Sequence, residues 1–368
     1  MAKCIAFTGG GTAGHVYPAL AVLEELVPAW GGRIIWIGSL SGLERRILGG
    51  QDLRFYGIPA GKLRRYFSWR NALDIFAVLA GLLASLYILL RERPVLLFSK
   101  GGYVSVPPVV AARLLRIPVL THESDLDPGL ATRINARFAD SVLISFSESR
   151  NLLSASARPK AVHTGNPVRR ALLSGDAQEG RRITGCPPGA RMVLVLGGSL
   201  GSSFINRTVV GALDGLCARS FVVHQMGAGH FRPSSRSNYY GAAYFSEELP
   251  HLLAAAELVV SRAGANTLWE LALLGKPALL IPLPRSASRG DQIENARHFA
   301  SRGAAVMLEE QGLTSEVLET AVLHLLGNES KLRQMAACAS ALAKPEAAAV
   351  IAGLLLQRAR PAGEQDAL

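Results

Sequence analysis

The run Cys4-Ile5-Ala6-Phe7-Thr8 leads directly into Gly9-Gly10-Gly11-Thr12-Ala13-Gly14-His15 and then Val16-Tyr17-Pro18, and its reading decides the fold. A short apolar strand that breaks into glycines and restarts as a helix is the opening unit of a doubly wound sheet. The same grammar recurs at Met192 to Leu196, followed by Gly197-Gly198-Ser199-Leu200-Gly201. Around these two anchors lie further strand-like runs: Arg33 to Ile37, Val95 to Ser99, Val119 to Thr121, Val142 to Ile144, Phe221 to Gln225, Leu258 to Ser261 and Ala278 to Ile281. Helix-like segments separate most of them, which predicts parallel sheets with crossover helices. Two doubly wound α/β domains follow.

The chain's 368 residues are enough for two cores, and 49% hydrophobic content with no three-residue glycine period excludes a disordered or collagen-like chain. The polar stretch Ser154 to Lys160 and Gly165-Asn166-Pro167 predict a boundary near 163, giving domains 1–163 and 164–340. The Ala/Leu-rich tail reads as a helix over about 341–368 that packs back on the first domain, with the last six residues fraying. Net charge is +11, from 32 Arg, 7 Lys and 28 acidic residues. Between 33 and 116 there are 13 basic and 4 acidic residues, so most of the excess sits in the first domain. These bases flank apolar sequence and no nucleic-acid motif is present, so an anionic membrane surface is the expected partner and nucleic acid is not. A solvated basic face is the plainer alternative. Four scattered cysteines without a CxxC pair predict reduced thiols and no structural zinc. The N-terminus enters an apolar strand with no secretory leader, so a cytoplasmic chain is expected.

Gly9, Gly11 and Gly14 formally match GxGxxG, but Trp36-Ile37-Gly38-Ser39 carries no acid for a nicotinamide ribose, which weighs against an oxidoreductase. His15 stands at the mouth of that turn, where an imidazole suits a general base; a helix-capping or gap-filling histidine is the structural alternative. Lys100-Gly101-Gly102-Tyr103-Val104-Ser105 follows another strand and is expected at the same carboxyl edge. No DxD-type metal site is apparent, so neither metal nor cofactor is expected.

Taken in order, Gly10 to Pro18, Gly101 to Ser105, His122-Glu123, Gly165-Asn166-Pro167-Val168-Arg169, Gly197 to Gly201, Arg262-Ala263-Gly264-Ala265-Asn266-Thr267 with Glu270, and Asp291-Gln292 with Asn295-Ala296 resemble the MurG family. Those enzymes transfer N-acetylglucosamine to lipid I, giving lipid II in peptidoglycan synthesis. The resemblance covers nearly the whole chain. It implies the GT-B fold, two Rossmann-like domains facing each other across a cleft, with the nucleotide sugar held mainly by the second domain and the lipid acceptor by the first. It implies donor-binding roles for Thr12, Ala13, Gly14, Asp125, Arg169, Ser199, Gly264, Ala265, Asn266, Thr267, Glu270 and Gln292, and acceptor contacts at Gly102 and Tyr103. His15 is the candidate catalytic base. Arg169 also presents a fork suited to phosphate or uracil oxygens, and Ser199 lies at a helix start suited to a diphosphate. In this reading Glu270 accepts hydrogen bonds from ribose hydroxyls and Gln292 contacts the sugar. Two departures stand out: Ala13 where the family often has glycine, and His122-Glu123-Ser124-Asp125 where it typically has His-Glu-Gln-Asn. Asp125 thus replaces an amide with a carboxylate near a diphosphate.

Residues 75–90 are uncharged and bracketed by Arg64, Arg65 and Arg70 on one side and Arg91 and Arg93 on the other. As a helix they reach about 24 Å, short of a hydrocarbon core of roughly 30 Å, so surface attachment is preferred to spanning. Phe76, Leu79 and Leu83 are the expected membrane patch, with a buried core helix as the alternative. The function read from sequence is therefore an inverting transferase, peripheral on the cytoplasmic face of the inner membrane. Its partners are UDP-N-acetylglucosamine, lipid I and other wall-synthesis proteins. Another lipid-directed GT-B enzyme and a noncatalytic UDP-binding sensor are the remaining alternatives.

Overall fold

All nine expected strands form, and four more flank them. A computed structural model describes residues 3–61, 70–198 and 200–359. In the first unit the strands are β1 (Cys4–Thr8), β2 (Arg33–Ser39), β3 (Arg54–Ile58), β4 (Leu96–Ser99), β5 (Val119–Glu123), β6 (Ser141–Ile144) and β7 (Ala161–His163). The second unit contains β8 (Met192–Leu196), β9 (Phe221–Gln225), β10 (Tyr239–Ala242), β11 (Leu258–Ser261), β12 (Ala278–Leu280) and β13 (Ala305–Met307). The sheet orders are β3-β2-β1-β4-β5-β6-β7 and β10-β9-β8-β11-β12-β13, and the recorded pairings are parallel. The unanticipated strands β3, β7, β10 and β13 are the four sheet edges. Interior strands are covered on both faces and read as unbroken apolar runs, whereas an edge tolerates sequences such as Arg54-Phe55-Tyr56-Gly57-Ile58.

Each sheet reverses its winding once. After β3 the chain returns to lay β4 on the other side of β1, and after β10 it lays β11 on the other side of β8. The connections leaving β1 and β4, and those leaving β8 and β11, therefore turn to opposite faces of their sheets at a switch point, where open α/β sheets bind ligands.

The chain divides into one compact unit running through Arg169 and resuming at Lys344, and a second from Arg170 to Ala343. These divisions fall at 169/170 and 343/344, against the expected 163/164 and 340/341. In the first unit the period of the strand sorts β1 between two layers. Ile5 and Phe7 face a core shared with Trp36, Phe98 and the last described helix, Ala347–Ala359, through Ile351 and Leu355. Cys4 and Ala6 face the opposite core with Ile35, Ile37, Leu97, Ile88 and Leu89. The second unit packs Val193, Val195, Val260 and Leu279 against Ile205 and Val209 of the helix Ser203–Arg219.

Candidate active site

On the first unit, the chain leaving β1 makes a single 3-10 turn, Ala13–His15, before the helix Tyr17–Trp30. Thr12 is exposed and extended ahead of it, and its carbonyl accepts from the His15 N–H (3.2 Å). Ala13 and Gly14 are half-buried within the turn. Gly11 has φ +86°, and a side chain there would collide with the Tyr103 ring. Gly102 has φ +79°, and its absent Cβ leaves room for the Gly10 carbonyl and the His15 ring. Glycine is required at both positions for the two switch-point loops to close on each other. The structure thus brings His15, Gly102 and Tyr103 together.

His15 Nδ1 lies 3.2 Å from the Lys100 carbonyl oxygen. A carbonyl only accepts, so Nδ1 carries the hydrogen, and in the neutral ring the lone pair is then on Nε2. That is the tautomer a proton acceptor needs.

Beneath these loops lies a polar layer that sequence reasoning left unassigned. Glu44, fully buried, accepts from the Ser39 N–H (2.7 Å) and hydroxyl (2.6 Å) through Oε1 and from the Gly11 N–H (3.4 Å) through Oε2. Lys100 is 1% exposed and donates to Ser124 Oγ at 2.6 Å. Burial pushes its ammonium down to about 8, against the pull of Glu123 and Asp125. His122 is buried too, and desolvation, aided by the Lys100 charge, holds it well below the ordinary imidazole value. It is therefore neutral, with Nε2 donating to the Gly165 carbonyl (3.0 Å). Glu123 pins the next loop, accepting from the Asp125 N–H and the Gly129 N–H, both at 3.0 Å. Asp125, half-buried, belongs to that loop.

Arg169 belongs to the first unit and not to the head of the second, where the expected boundary put it. Its guanidinium stacks on Tyr17, 4.4 Å from the ring centroid, and its Nε is buried without a hydrogen-bond partner among the described residues. The stacking satisfies the planar cation at the mouth of the glycine turn.

On the second unit, Ser199 lies outside the described residues. The helix that follows the 197–201 turn is capped by Ser202, whose Oγ accepts from the Ile205 N–H (3.3 Å). Arg262, at the exit of β11, donates through Nη2 to that same Oγ (2.7 Å). Through Nη1 it donates to the Ile281 and Pro282 carbonyls (3.0 and 3.2 Å) and to Glu310 (2.5 Å). One side chain thus ties the ends of β11 and β12 to a helix start.

Gly264 precedes the helix Ala265–Leu273, and a Cβ there would meet nothing within 4 Å. The first turn of a helix points its N–H groups outward along the axis, so an anion can approach residues 265–267. Glu270 lies one turn beyond Asn266 and Thr267 on the same helix face, half-buried. Gln292 is in the first turn of the helix Asp291–Ser301. Its carbonyl accepts from the Leu283 N–H (3.1 Å), which aims the amide NH2 the other way. Asn295 donates to the Ala263 carbonyl (3.3 Å) and joins this helix to the β11 exit.

Phe76, Leu79 and Leu83 lie on the helix Arg70–Glu92. They are 70%, 52% and 68% exposed, and Ile75, Tyr87 and Leu90 extend the same stripe. Ile88 and Leu89 on the other face are core. By length and composition the helix could cross a membrane, but one face packs on the unit. Lys62, Arg64 and Arg65 lie outside the described residues, as does Arg70's side chain.

Residues 5–144 match the glycosyltransferase family 28 N-terminal domain and residues 192–351 the family 28 C-terminal domain. A UDP-N-acetylglucosamine–N-acetylmuramyl-(pentapeptide) pyrophosphoryl-undecaprenol N-acetylglucosamine transferase of Treponema denticola is 43% identical, covering 96% of this chain and 97% of its own. The enzyme of the same description from Treponema pallidum is 48% identical over 84% of this chain and 83% of its own. Among solved structures, MurG of Acinetobacter baumannii superimposes with a TM-score of 0.74 at 27% identity, over 96% of this chain and 99% of that one.

Proposed function

The chain belongs to the MurG family of glycosyltransferase family 28, and from that premise we propose how its residues divide the reaction. It is a UDP-N-acetylglucosamine-dependent glycosyltransferase that forms lipid II from lipid I. The observation that carries this reading is 43% identity extending over 97% of a relative named for that transfer. The test is a turnover assay with lipid I and UDP-N-acetylglucosamine, following UDP release and lipid II formation; failure of the wild-type protein to make lipid II overturns it.

In the proposed division, the helix starts at 203 and 265 take the diphosphate and stabilise the charge that develops as UDP leaves. Ser199 and Gly264 to Thr267 line that binding, Glu270 accepts from the ribose hydroxyls, and the Gln292 NH2 reaches a sugar hydroxyl. Arg169, with Thr12 to Gly14, adds positive charge and backbone donors. On the acceptor side Gly102 and Tyr103 border the muramic acid. His15 Nε2 takes the proton from its C4 hydroxyl as that oxygen attacks the anomeric carbon, and the carbon–UDP bond breaks with inversion.

The exposed stripe on the 70–92 helix supports peripheral attachment to a membrane, which this reading puts at the cytoplasmic face. Apolar side chains enter the lipid, and Arg91 and Arg93 sit at its end to meet anionic headgroups.

A further inference from the structure

Lys100 is the junction of the first unit's carboxyl edge, and nothing in the division of roles above uses it. Its N–H donates to the Thr8 carbonyl (2.8 Å), and its carbonyl accepts from His15 Nδ1. Its ammonium donates to Ser124 Oγ, and since an amide carbonyl only accepts, Ser124 must pass its own hydrogen to Asn166 Oδ1 (2.7 Å). The hydrogen-bond chain therefore has a fixed direction, from β4 through the loop after β5 to the segment after β7. Two carboxylates, Glu123 and Asp125, act on the same ammonium, and the neutral His122 ring lies beside it. An ammonium removed from water is costly unless paired, and an apolar side chain would fill the same space without that cost. A buried cation kept at such a place calls for a reason other than packing.

We propose that Lys100 is a positioning residue for the transfer: through Ser124 its ammonium holds the 122–125 loop and offsets the Glu123 and Asp125 charges, while its carbonyl fixes the His15 tautomer. Only the side-chain half of this role is removable by substitution. The proposal rests on the reading of the chain as a lipid I glycosyltransferase, and wild-type turnover tests that reading separately.

The experiment compares wild type, Lys100→Met, Asp125→Asn, the double variant and Ser124→Ala, in steady-state assays with lipid I and in urea unfolding at pH 7. Lys100→Met is expected to lower kcat roughly 10- to 100-fold, the loss typical of a hydrogen bond to a charged group. It should leave UDP binding unchanged, and because it leaves the Glu123 and Asp125 carboxylates without their buried cation it should also unfold at a lower urea concentration, a loss that Asp125→Asn partly restores. Adding Asp125→Asn to Lys100→Met should recover activity severalfold, because the uncompensated carboxylate is removed. Ser124→Ala keeps the ammonium but cuts its path, and should also lower kcat. The proposal is overturned if Lys100→Met turns over normally, if its reduced folded fraction alone accounts for the loss of kcat, or if Asp125→Asn has the same effect in both backgrounds. Should Lys100→Met not fold, normal turnover by Ser124→Ala overturns it. If wild type makes no lipid II, the coupling of Lys100 to Asp125 is still read from additivity in unfolding; additivity there overturns it as well.

Discussion

At the switch between β1 and β4 the carboxyl edge of the first sheet is crowded with ionisable side chains: His15, Glu44, Lys100, His122, Glu123 and Asp125. The matching edge between β8 and β11 is built around helix starts, with Glu270 one turn into its helix and the cation Arg262 bound up in backbone carbonyls and Glu310. The histidines make the contrast concrete. His15 stands half-buried on a loop, whereas His224 lies inside the second unit, donating to Asn206 Oδ1 (3.0 Å) and accepting from the Tyr239 hydroxyl (3.3 Å). Burial pushes His224 down to about 4, so it stays neutral and serves packing. The same topology used twice has thus acquired two chemistries. One edge suits moving a proton, the other suits holding an anion, and the difference lies in side chains at the strand ends and in the segments that follow them.

The sharpest way to break that contrast is His15→Ala. Loss of a general base typically costs 10²- to 10⁴-fold in rate, roughly 3 to 5.5 kcal/mol of barrier. UDP affinity, measured by calorimetry, should hardly change, because the nucleotide contacts are assigned mainly to the other unit and none of them to the imidazole. Near-normal turnover would return His15 to a purely structural role at the glycine turn.

The asymmetry extends to the outer surface, since the exposed stripe of the 70–92 helix belongs to the first unit. Replacing Phe76, Leu79 and Leu83 with serine removes about 1 kcal/mol for each half-inserted side chain, or roughly 100-fold in partitioning to anionic vesicles. Thermal unfolding should be unaffected because all three are more than half exposed. Unchanged sedimentation with vesicles would remove the membrane role from this helix.

Glu270→Ala probes the second edge. Losing hydrogen bonds from ribose hydroxyls to a carboxylate should weaken UDP binding by about 1.5 to 3 kcal/mol. Wild-type affinity in the folded variant would mean that Glu270 supports its own helix and not the nucleotide.

How much of this was legible in sequence follows the same physics. The glycine turns were, because Gly11 and Gly102 answer to local geometry, positive φ and close approach, that leaves a mark in the chain itself. Interior strands were legible from unbroken apolar runs, and edge strands were not, because half-exposed β-structure carries no such run. The polar layer was invisible for another reason. Lys100, Ser124 and Asn166 are separated by 24 and 42 residues, and only the sheet order β1-β4-β5-β6-β7 makes neighbours of them. Arg262 was quoted within a motif, but its bonds to Ser202 and Glu310 cross 60 and 48 residues, so its bracing role had no local signature.

Asp125 is where the contrast between the edges is finest, because a carboxylate at a sugar-facing position puts negative charge where a diphosphate must come. If the loop faces the donor, Asp125→Asn supplies an NH2 group and removes a charge, so the KM for UDP-N-acetylglucosamine should stay level or fall by up to about fivefold. The change is small because Asp125 is only half-buried and Lys100 already acts on it from below. A large loss of kcat at unchanged KM would point elsewhere. The carboxylate would then take part in the proton transfer itself, and the first edge would hold two groups, His15 and Asp125, sharing the work now assigned to one.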